Sequence, residues 1–444
     1  MAEHRRGANL PSIGGFNRTV VLDAVRRSPD GLSRVELAAR TGLSAQTVSN
    51  VTRFLIDAGM IVESGTVVSG RGKPRTILRL EPGSRYAVGV HVDPAVVTYV
   101  LLDLAGTVVA ASTTSTPTAD DPSQVVRTIA SAVDGLVADA GVAVDSVLGV
   151  GIASPGPIDV EAGIVVDPPF LPRWRDVPLR DALAEATGYP VLLEKDVTAA
   201  AVGEMFLAGE SSARNFAFVY FGTGFGVGLV VDHEPVRGVG SNAGDAGHIM
   251  VDQGPLAGTP DGSGTRGEVG AAVAPDRLVR VARSRGLALS GGVSAEAGAA
   301  DDGNDAEADD ADGAEAGAAD ATDSGATDVD AAWDELATAI AGGDDTAVTL
   351  AADAGTVMGN AVVLIVNLLD IDRVVFGGPF WSRIASAALP AARAAIVGSP
   401  LLVPKHPVQV VESDRGADVA AVGAACLVLD AALSPRASTL LIRR

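Results

Sequence analysis

The sequence of 444 residues predicts an α/β protein with a small helical head and a larger body of strands and helices. Three observations support this prediction. Hydrophobic residues make up 47% of the chain and aromatic residues only 4%, which suits a core of Ala, Val and Gly. Short apolar runs bounded by glycines, such as 216–221 and 227–231, are typical of buried strands. Residues 17–56 instead place apolar residues at helical spacing between short polar turns.

The charge is unevenly distributed along the chain. The formal net charge is −22, from 33 Lys and Arg against 55 Asp and Glu. Residues 1–85 hold 13 of the basic residues and only 7 of the acidic ones, so the head is basic and the rest strongly acidic. Because a basic head attracts phosphate groups, the negative total does not exclude a nucleic-acid partner.

The chain has one cysteine and no apparent targeting signal. A single cysteine, Cys426, excludes an internal disulfide and a cysteine-rich metal site, and its apolar neighbours predict a buried position. The N-terminus lacks the apolar core of a signal peptide, and no uncharged apolar run reaches the ~20 residues that span a bilayer. We therefore expect a cytoplasmic protein without a membrane partner.

Three helices are predicted at the start of the head. The first covers 17–27 and ends before a Ser-Pro-Asp-Gly turn. Ser33 is positioned to cap the second helix, 34–40, with Glu36 at the capping-box position. After a Thr-Gly break, Ser44 is positioned to cap the third helix. Two helices joined by a short turn containing glycine form the helix-turn-helix pattern.

The third helix and the segment after it carry the polar groups expected of a DNA-binding surface. The helix offers short donors and acceptors and one guanidinium, from Ser44, Gln46, Thr47, Ser49, Asn50 and Arg53. Such groups suit base edges and phosphates, although they also suit a merely solvated face. Two strands, the first interrupted by a predicted turn at Ser64-Gly65, then flank a wing loop with positive charges at Arg71, Lys73 and Arg75. The combination favours double-stranded operator DNA. Because one helix contacts few base pairs, we also expect a homodimer or higher homo-oligomer.

A glycine-rich turn, 222–226, joins the two strands 216–221 and 227–231 in the body. Successive N–H groups and the Thr223 hydroxyl could cradle an anion, although a plain hairpin gives the same pattern. Asp245 and His248 follow, three residues apart and flanked by glycines. They add polar groups near this turn.

These segments resemble the ROK family, which groups sugar-responsive repressors with sugar kinases on an actin-like scaffold. The family's Gly-Thr-Gly-x-Gly-x-Gly turn matches 222–228, and its Ala-Gly-Glu-x-Gly-His motif matches 243–248 with Asp245 in place of Glu. Its Pro-Gly-Pro-Val-Asp loop matches 155–159, and its Glu-Asn-Asp-Ala-Asn-Ala-Ala motif matches 194–200. The motifs occur in the family's order and span most of the chain.

The resemblance implies a winged helix-turn-helix head and a two-lobed actin-like ATPase (ribonuclease H-like) body. The predicted domains are the head, the first lobe, the second lobe and a C-terminal helix returning to the first lobe, at 1–82, 83–195, 196–415 and 416–435. Within the second lobe, residues 291–330 hold 13 acidic residues and no Lys or Arg. Because such a segment cannot bury a core, a disordered acidic insert is predicted there.

The resemblance also implies a sugar or sugar-phosphate effector between the lobes. The matching positions are Gly156, Lys195, Asp196, Asp245 and His248. Asp196 occupies the place of the kinases' general base, but a carboxylate there can equally accept a hydrogen bond from a hydroxyl without chemistry. Lys195 replaces an Asn that contacts sugar. Two explanations stay open for Lys195: a local salt bridge with Glu194 or Asp196, or an acidic or phosphorylated ligand.

Two departures from the family pattern argue against a kinase and against zinc. The kinases' Asp-x-Gly-Gly-Thr phosphate turn is replaced by residues 93–97, Asp-Pro-Ala-Val-Val, which lose both glycines and one N–H. The family's three zinc-binding cysteines after His248 are missing. Asp261 and Glu268 offer oxygen ligands, but neither a metal nor a cofactor is expected.

Three functions follow from this comparison of motifs. The favoured one is a sugar-responsive DNA-binding repressor of carbohydrate metabolism genes without enzyme activity. A ROK sugar kinase that acquired a DNA-binding head is the first alternative, supported by Asp196 and the 222–228 turn. A regulator whose pocket no longer binds sugar is the second, because Lys195 and Asp245 differ from the family pattern.

Overall fold

The computed structural model describes residues 10–67, 74–94, 96–117, 122–168, 171, 174–208, 213–251, 256, 267–290 and 321–433. The chain divides into two compact units. The first comprises Met1–Ala246, Ile365–Pro379 and Val403–Arg444, and the second comprises Gly247–Leu364 and Phe380–Leu402.

The head consists of three helices and a small antiparallel sheet with strand order β1-β3-β2. Its elements are α1 (Leu10–Arg26), β1 (Leu32–Ser33), α2 (Arg34–Thr41), α3 (Ala45–Asp57), β2 (Ile61–Val67) and β3 (Arg75–Leu80). The predicted capping box at Ser33 is confirmed, because the Ser33 hydroxyl accepts from the Glu36 N–H while Glu36 Oε2 accepts from the Ser33 N–H at 2.8 Å.

The wing differs from the prediction at its first strand. β2 continues through Ser64 and Gly65, where a turn was expected. The pairing with β3 shifts register between Glu63 and Thr66, and Gly65 has a φ of 120°. The segment is therefore a β-bulge, which takes up extra residues without ending the strand. The wing residues Arg71 and Lys73 lie outside the described residues.

The first sheet of the body has strand order β10-β7-β4-β5-β6. The elements in this part are β4 (Tyr86–Val92), β5 (Val96–Asp103), β6 (Val108–Ser115), α4 (Pro122–Asp139), β7 (Val147–Ser154), β8 (Ile158–Asp159), β9 (Ile164–Val165), α5 (Leu179–Thr187) and β10 (Val191–Lys195). β4 pairs antiparallel with β5 and parallel with β7, which in turn pairs parallel with β10. Side chains of α4 and α5 form one core with the strand residues Val88, Val90 and Ile152.

The second sheet of the body has strand order β13-β12-β11-β14-β15 and also lies in the first unit. The remaining elements of the chain are α6 (Asp196–Leu207), β11 (Phe216–Phe221), β12 (Phe225–Val231), β13 (Glu234–Pro235), α7 (Val269–Val273), α8 (Pro275–Ser284), α9 (Ala321–Ala341), α10 (Asp345–Leu369), β14 (Arg373–Gly377), α11 (Trp381–Val397), β15 (Gln409–Glu412) and α12 (Val419–Leu433). The parallel and antiparallel strands around β11 give this sheet a mixed topology.

Helices α6 and α12 pack closely because glycines face each other at the contact. A Cβ atom on Gly423 would lie 2.1 Å from the Ala199 carbonyl oxygen, and one on Gly203 would lie 2.8 Å from the Gly423 Cα. α12 also rests on the first sheet, where a Cβ atom on Gly89 or Gly151 would collide with its backbone. Small residues thus let the backbones of two helices and a sheet approach one another.

The lone Cys426 lies on α12 and is fully buried. Removal from water penalises the thiolate and raises the pKa of its thiol to about 12. The prediction of a buried core position is confirmed.

The head contacts the body through α1. Val21, Leu22 and Val25 belong to one hydrophobic core with residues of α12. Beside them, the Arg26 side chain is only 4% exposed and donates from Nη1 to the Phe206 carbonyl oxygen at 2.8 Å. The same guanidinium lies over the Phe206 ring, 3.8 Å from its centroid. A charged side chain of the head therefore holds the last turn of α6.

The second unit is helical in its described part. Trp333 of α9 is fully buried, donates from Nε1 to the Pro275 carbonyl oxygen at 3.1 Å and contacts the Phe380 ring. α9 begins at Ala321, inside the predicted insert 291–330, and so extends further towards the N-terminus than the sequence indicated. Alanine favours helix even where the composition offers no core, which explains the difference. Residues 291–320 of the predicted insert lie outside the described residues.

α10 is the one described helix that is long and apolar enough to cross a membrane by length and composition. Of its most apolar window, 61% is buried inside the protein, as in a core helix.

Candidate functional site

The third helix of the head presents a polar face at its N-terminal end. Ser44 caps α3 by accepting from the Thr47 N–H at 3.1 Å, and Gln46 Nε2 donates to Asn50 Oδ1 at 3.1 Å. Ser44, Gln46, Asn50 and Arg53 are exposed, whereas Thr47 and Ser49 are half-buried. Val48, Val51 and Leu55 occupy the opposite, buried face. This geometry leaves the exposed side chains of the predicted recognition helix free to contact bases in the major groove of DNA.

Arg34 is a structural residue of the head that the sequence did not single out. Its Nε donates to Thr52 Oγ1 of α3 at 3.2 Å, and its Nη2 pairs with Glu63 of β2 at 2.9 Å. One side chain of α2 thus links the recognition helix to the wing. Arg75 at the start of β3 is exposed, as expected of a wing residue.

The predicted ligand residues Gly156, Lys195 and Asp196 are brought together in the first unit. Lys195 ends β10 and Asp196 begins α6. A Cβ atom on Gly156 would lie 3.2 Å from Lys195 Cε and 3.0 Å from Asn242 Oδ1. The loop after β7 therefore lies directly against the Lys195 side chain.

Asn242 fixes this loop and was not identified from the sequence. Its Oδ1 accepts from the Ile158 N–H at 2.8 Å, and its Nδ2 donates to the Ile158 carbonyl oxygen at 2.7 Å. Its own carbonyl oxygen accepts from Lys195 Nζ at 3.2 Å. An isolated Asn within a glycine-rich segment gives no distinctive sequence signal, because such residues usually serve turns.

Asp196 stands out among the acidic side chains of the site. Burial raises the pKa of its carboxyl group above the ordinary value, an effect that nearby His91, its hydrogen bond from the Val197 N–H and Lys195 partly oppose. The 2.7 Å bond to the Val197 N–H fixes Oδ1 at the start of α6. A carboxyl group of this kind can accept a ligand hydroxyl or take up a proton.

The glycine-rich turn is joined to the first sheet by its threonine. Thr223 donates from Oγ1 to Asp93 Oδ2 at 3.1 Å. Nearby, the rings of His91 and Tyr220 meet edge to face with centroids 6.2 Å apart. The buried Tyr220 hydroxyl has no hydrogen-bond partner within the described part of the chain, and burial raises its pKa well above the ordinary value. This position suits a polar ligand atom or a water molecule.

The other two predicted ligand residues are exposed. Asp245 follows Gly244, whose carbonyl oxygen accepts from the Val227 N–H at 2.9 Å and whose φ is 92°. His248 belongs to the second unit, where its Nδ1 lies 3.2 Å from Glu268 Oε2. Within the described ranges, no three His, Cys, Asp or Glu side chains form a group that could hold a metal ion, and Asp261 lies outside those ranges.

Comparison with known proteins agrees with this geometry. The family model for winged helix-turn-helix DNA-binding domains matches residues 21–62, and the ROK family model matches residues 87–431. The chain belongs to the ROK family. Its winged helix-turn-helix head and actin-like body are the architecture that the sequence predicted.

Both branches of the ROK family are represented among similar proteins. The xylose repressor of Bacillus subtilis is 28% identical over 246 residues, which cover 55% of this chain and 63% of that protein. A glucokinase of Halalkalibacterium halodurans is 31% identical over 198 residues, which cover 45% of this chain and 59% of that protein. The matched stretches thus span about three fifths of these relatives.

A ROK transcriptional regulator of known structure has the same fold across nearly the whole chain. The crystal structure of this homologue of the E. coli Mlc protein aligns with a TM-score of 0.69 and 23% identity. The alignment covers 95% of this chain and 97% of the other. The combination of head and body is therefore a known architecture.

Proposed function

We propose that this ROK protein is a sugar-responsive transcriptional repressor of carbohydrate metabolism genes. In this proposal it is a cytoplasmic homodimer without enzyme activity. The head binds double-stranded operator DNA through the exposed face of α3 and through the wing. The effector binds beside Lys195 and Asp196 and changes the affinity of the protein for DNA.

The observation that carries the proposal is the presence of both parts in one chain. A capped recognition helix with exposed Gln46, Asn50 and Arg53 is a DNA-binding element. The body retains the half-buried Asp196 carboxyl group at the start of α6. The resemblance to the xylose repressor and to the Mlc homologue supports the same assignment.

The turn around Asp93 supports a regulator over a kinase. The Asp93 N–H donates to the Val96 carbonyl oxygen at 3.0 Å, and Pro94 has no N–H to offer. The Asp93 carboxylate also holds the Thr223 hydroxyl of the glycine-rich turn. The Asp93 N–H and the Thr223 hydroxyl are thus engaged, and a negative charge lies next to the turn.

Operator binding with and without sugars tests the proposal. The purified chain is titrated with duplexes from the region upstream of its own gene, and binding is followed by fluorescence anisotropy at several salt concentrations. Specific binding that one sugar weakens is the expected result. Binding that is equal for all duplexes and unaffected by any sugar would contradict it.

A sugar kinase is the second candidate, because Asp196 has the raised pKa and position of a general base. The assay is transfer of labelled phosphate from ATP to each sugar that binds. Transfer that stops in Asp196→Asn would establish the kinase, whereas binding of a sugar without transfer supports the regulator.

A further inference from the structure

The Lys195 ammonium group is buried and incompletely satisfied. The residue is 7% exposed, and an ammonium group can donate three hydrogen bonds. Within the described ranges, Nζ has one hydrogen-bond partner, the Asn242 carbonyl oxygen at 3.2 Å. Among the residues that the structure describes, it forms no ion pair. A buried charge of this kind ordinarily has an oppositely charged partner.

Neither neighbouring carboxylate forms a direct ion pair with Nζ, although the Lys195 charge lowers the pKa of Asp196 from a longer distance. Glu194 Oε2 accepts from Arg237 Nε at 2.6 Å, and Glu194 Oε1 accepts from the Lys195 backbone N–H at 3.2 Å. Asp196 Oδ1 is held by the Val197 N–H. A local salt bridge, one of the two explanations that the sequence left open, therefore does not account for Lys195.

The surroundings hold the Lys195 side chain in place before any ligand arrives. Its aliphatic stem runs beside Gly156, where even a methyl group would be tight against Cε. Asn242 bonds to both sides of the Ile158 backbone and to Nζ, so the loop, the amide and the ammonium form one arrangement. The positive group is thus fixed next to Asp196 at the start of α6.

We propose that the effector is a sugar carrying an anionic oxygen, which accepts hydrogen bonds from Lys195 Nζ while Asp196 binds a hydroxyl of the same molecule. The inference rests on the proposed function and specifies its effector class. Both a sugar acid, with a carboxylate, and a sugar phosphate have this chemistry. A charge-assisted hydrogen bond in a buried position would make the acidic sugar the preferred ligand.

Calorimetric titration of the full chain with matched sugars tests the inference. Glucose is compared with each of gluconate, glucuronate and glucose 6-phosphate. Galactose is compared with galacturonate, and xylose with xylonate. The acidic member of one pair is expected to bind at least tenfold more tightly than its neutral partner. Preference for the carboxylate or for the phosphate member identifies the anionic group.

Three variants identify the contribution of Lys195. Lys195→Gln should reduce the ratio of affinities for the preferred acid and its neutral partner at least tenfold, whereas Lys195→Arg should retain the preference. Lys405→Gln removes an exposed lysine elsewhere and should change nothing. Thermal unfolding confirms that each variant folds.

Several outcomes would overturn the inference. A neutral sugar that binds as tightly as its acids and releases operator DNA would refute it while leaving the proposed function intact. An equal loss for both members of a pair in Lys195→Gln would show that Lys195 only supports the loop. Equally tight binding of inorganic phosphate alone would indicate a simple anion site. Operator binding without any response to sugar would refute the effector part of both proposals.

Discussion

Arg53 is the exposed guanidinium of the recognition helix, so its contribution can be separated from that of the ligand residues. Arg53→Ala should weaken operator binding by about 1–3 kcal/mol, and a lower salt dependence would show that a phosphate contact was lost. Effector binding should not change. Asp245→Ala should have the opposite pattern, with effector binding reduced and DNA binding retained. Anisotropy and calorimetry on the same preparations measure both quantities.

Arg214→Ala is the matched control for Arg53, because it removes the same charge from an exposed ion pair in the body. The operator affinity of this variant should equal that of the unmodified protein within experimental error. Loss of both activities in both the Arg53 and the Asp245 variants would contradict a division of labour between head and body.

The raised pKa of Asp196 makes a prediction about stability and pH. An acid whose folded pKa lies above its unfolded pKa destabilises the fold when ionised. Asp196→Asn keeps an acceptor for the Val197 N–H and should therefore stabilise the free protein at pH 7 by about 1 kcal/mol. The gain should shrink as the pH falls through the folded pKa and vanish below about 4. Urea unfolding at pH 7, 5.5 and 4 measures it.

Asp139→Asn provides the comparison for Asp196→Asn, since Asp139 is exposed at the end of α4. Its effect should be small at every pH. A destabilisation of Asp196→Asn at pH 7 would mean that the ionised carboxylate has a favourable structural partner.

The candidate site was only partly predictable from the sequence. Lys195 and Asp196 follow from a motif at the end of a strand, where parallel sheets commonly place ligand-binding groups. Asn242 could not be found, because its role depends on backbone atoms of Ile158, 84 positions away. The contact between Glu194 and Arg237 was equally unpredictable, because Arg237 lies on a loop that is distant in sequence.

The contact between α6 and α12 leads to a prediction with opposite signs at two helical glycines. Gly423→Ala should destabilise the protein by about 3 kcal/mol or more, because the new methyl group collides with the Ala199 carbonyl oxygen. Gly135→Ala in α4 meets no atom within 4 Å and should stabilise it by about 1 kcal/mol through helix propensity. Urea unfolding compares the two variants. Equal changes in the free energy of unfolding would contradict the prediction. They would mean that α6 and α12 move apart easily enough to accommodate the methyl group.

The sequence predicted the bounds of helices and strands more accurately where buried residues follow a regular pattern. β11 has the predicted bounds, because an unbroken apolar run leaves little choice. β6 was missed, since its mostly exposed Val108–Ser115 lacks clear alternation. α11 and β15 were also not predicted. The four-residue β15 takes its strand form from pairing with β14, which only the folded chain supplies.

At the scale of the whole molecule, α6 connects the proposed ligand residues to the head. It begins at Asp196, and its last turn is held by Arg26 of α1 through the Phe206 carbonyl oxygen. We predict that Arg26→Ala lowers the coupling between effector and DNA, which is typically 1–3 kcal/mol in such systems. The ratio of operator affinities with and without effector should approach one, whereas effector affinity measured without DNA should change little.

Arg27→Ala is the control for coupling. Arg27 pairs with the same Asp23, but its side chain is 30% exposed, compared with 4% for Arg26. Its affinity ratio should stay at the value of the unmodified protein. An Arg26→Ala protein with unchanged coupling would show that the effector acts on the head by another route.

The deep burial of Cys426 has a practical consequence for testing the proposed dimer. With its pKa raised to about 12 and its sulfur inside α12, the folded chain offers maleimide and methanethiosulfonate reagents almost no thiolate. A cysteine introduced at Thr66, on the exposed part of β2, would then be the sole reactive thiol without any prior removal of the native one. Spin labels there would report the distance between the wings of a dimer by pulsed electron resonance, with and without effector.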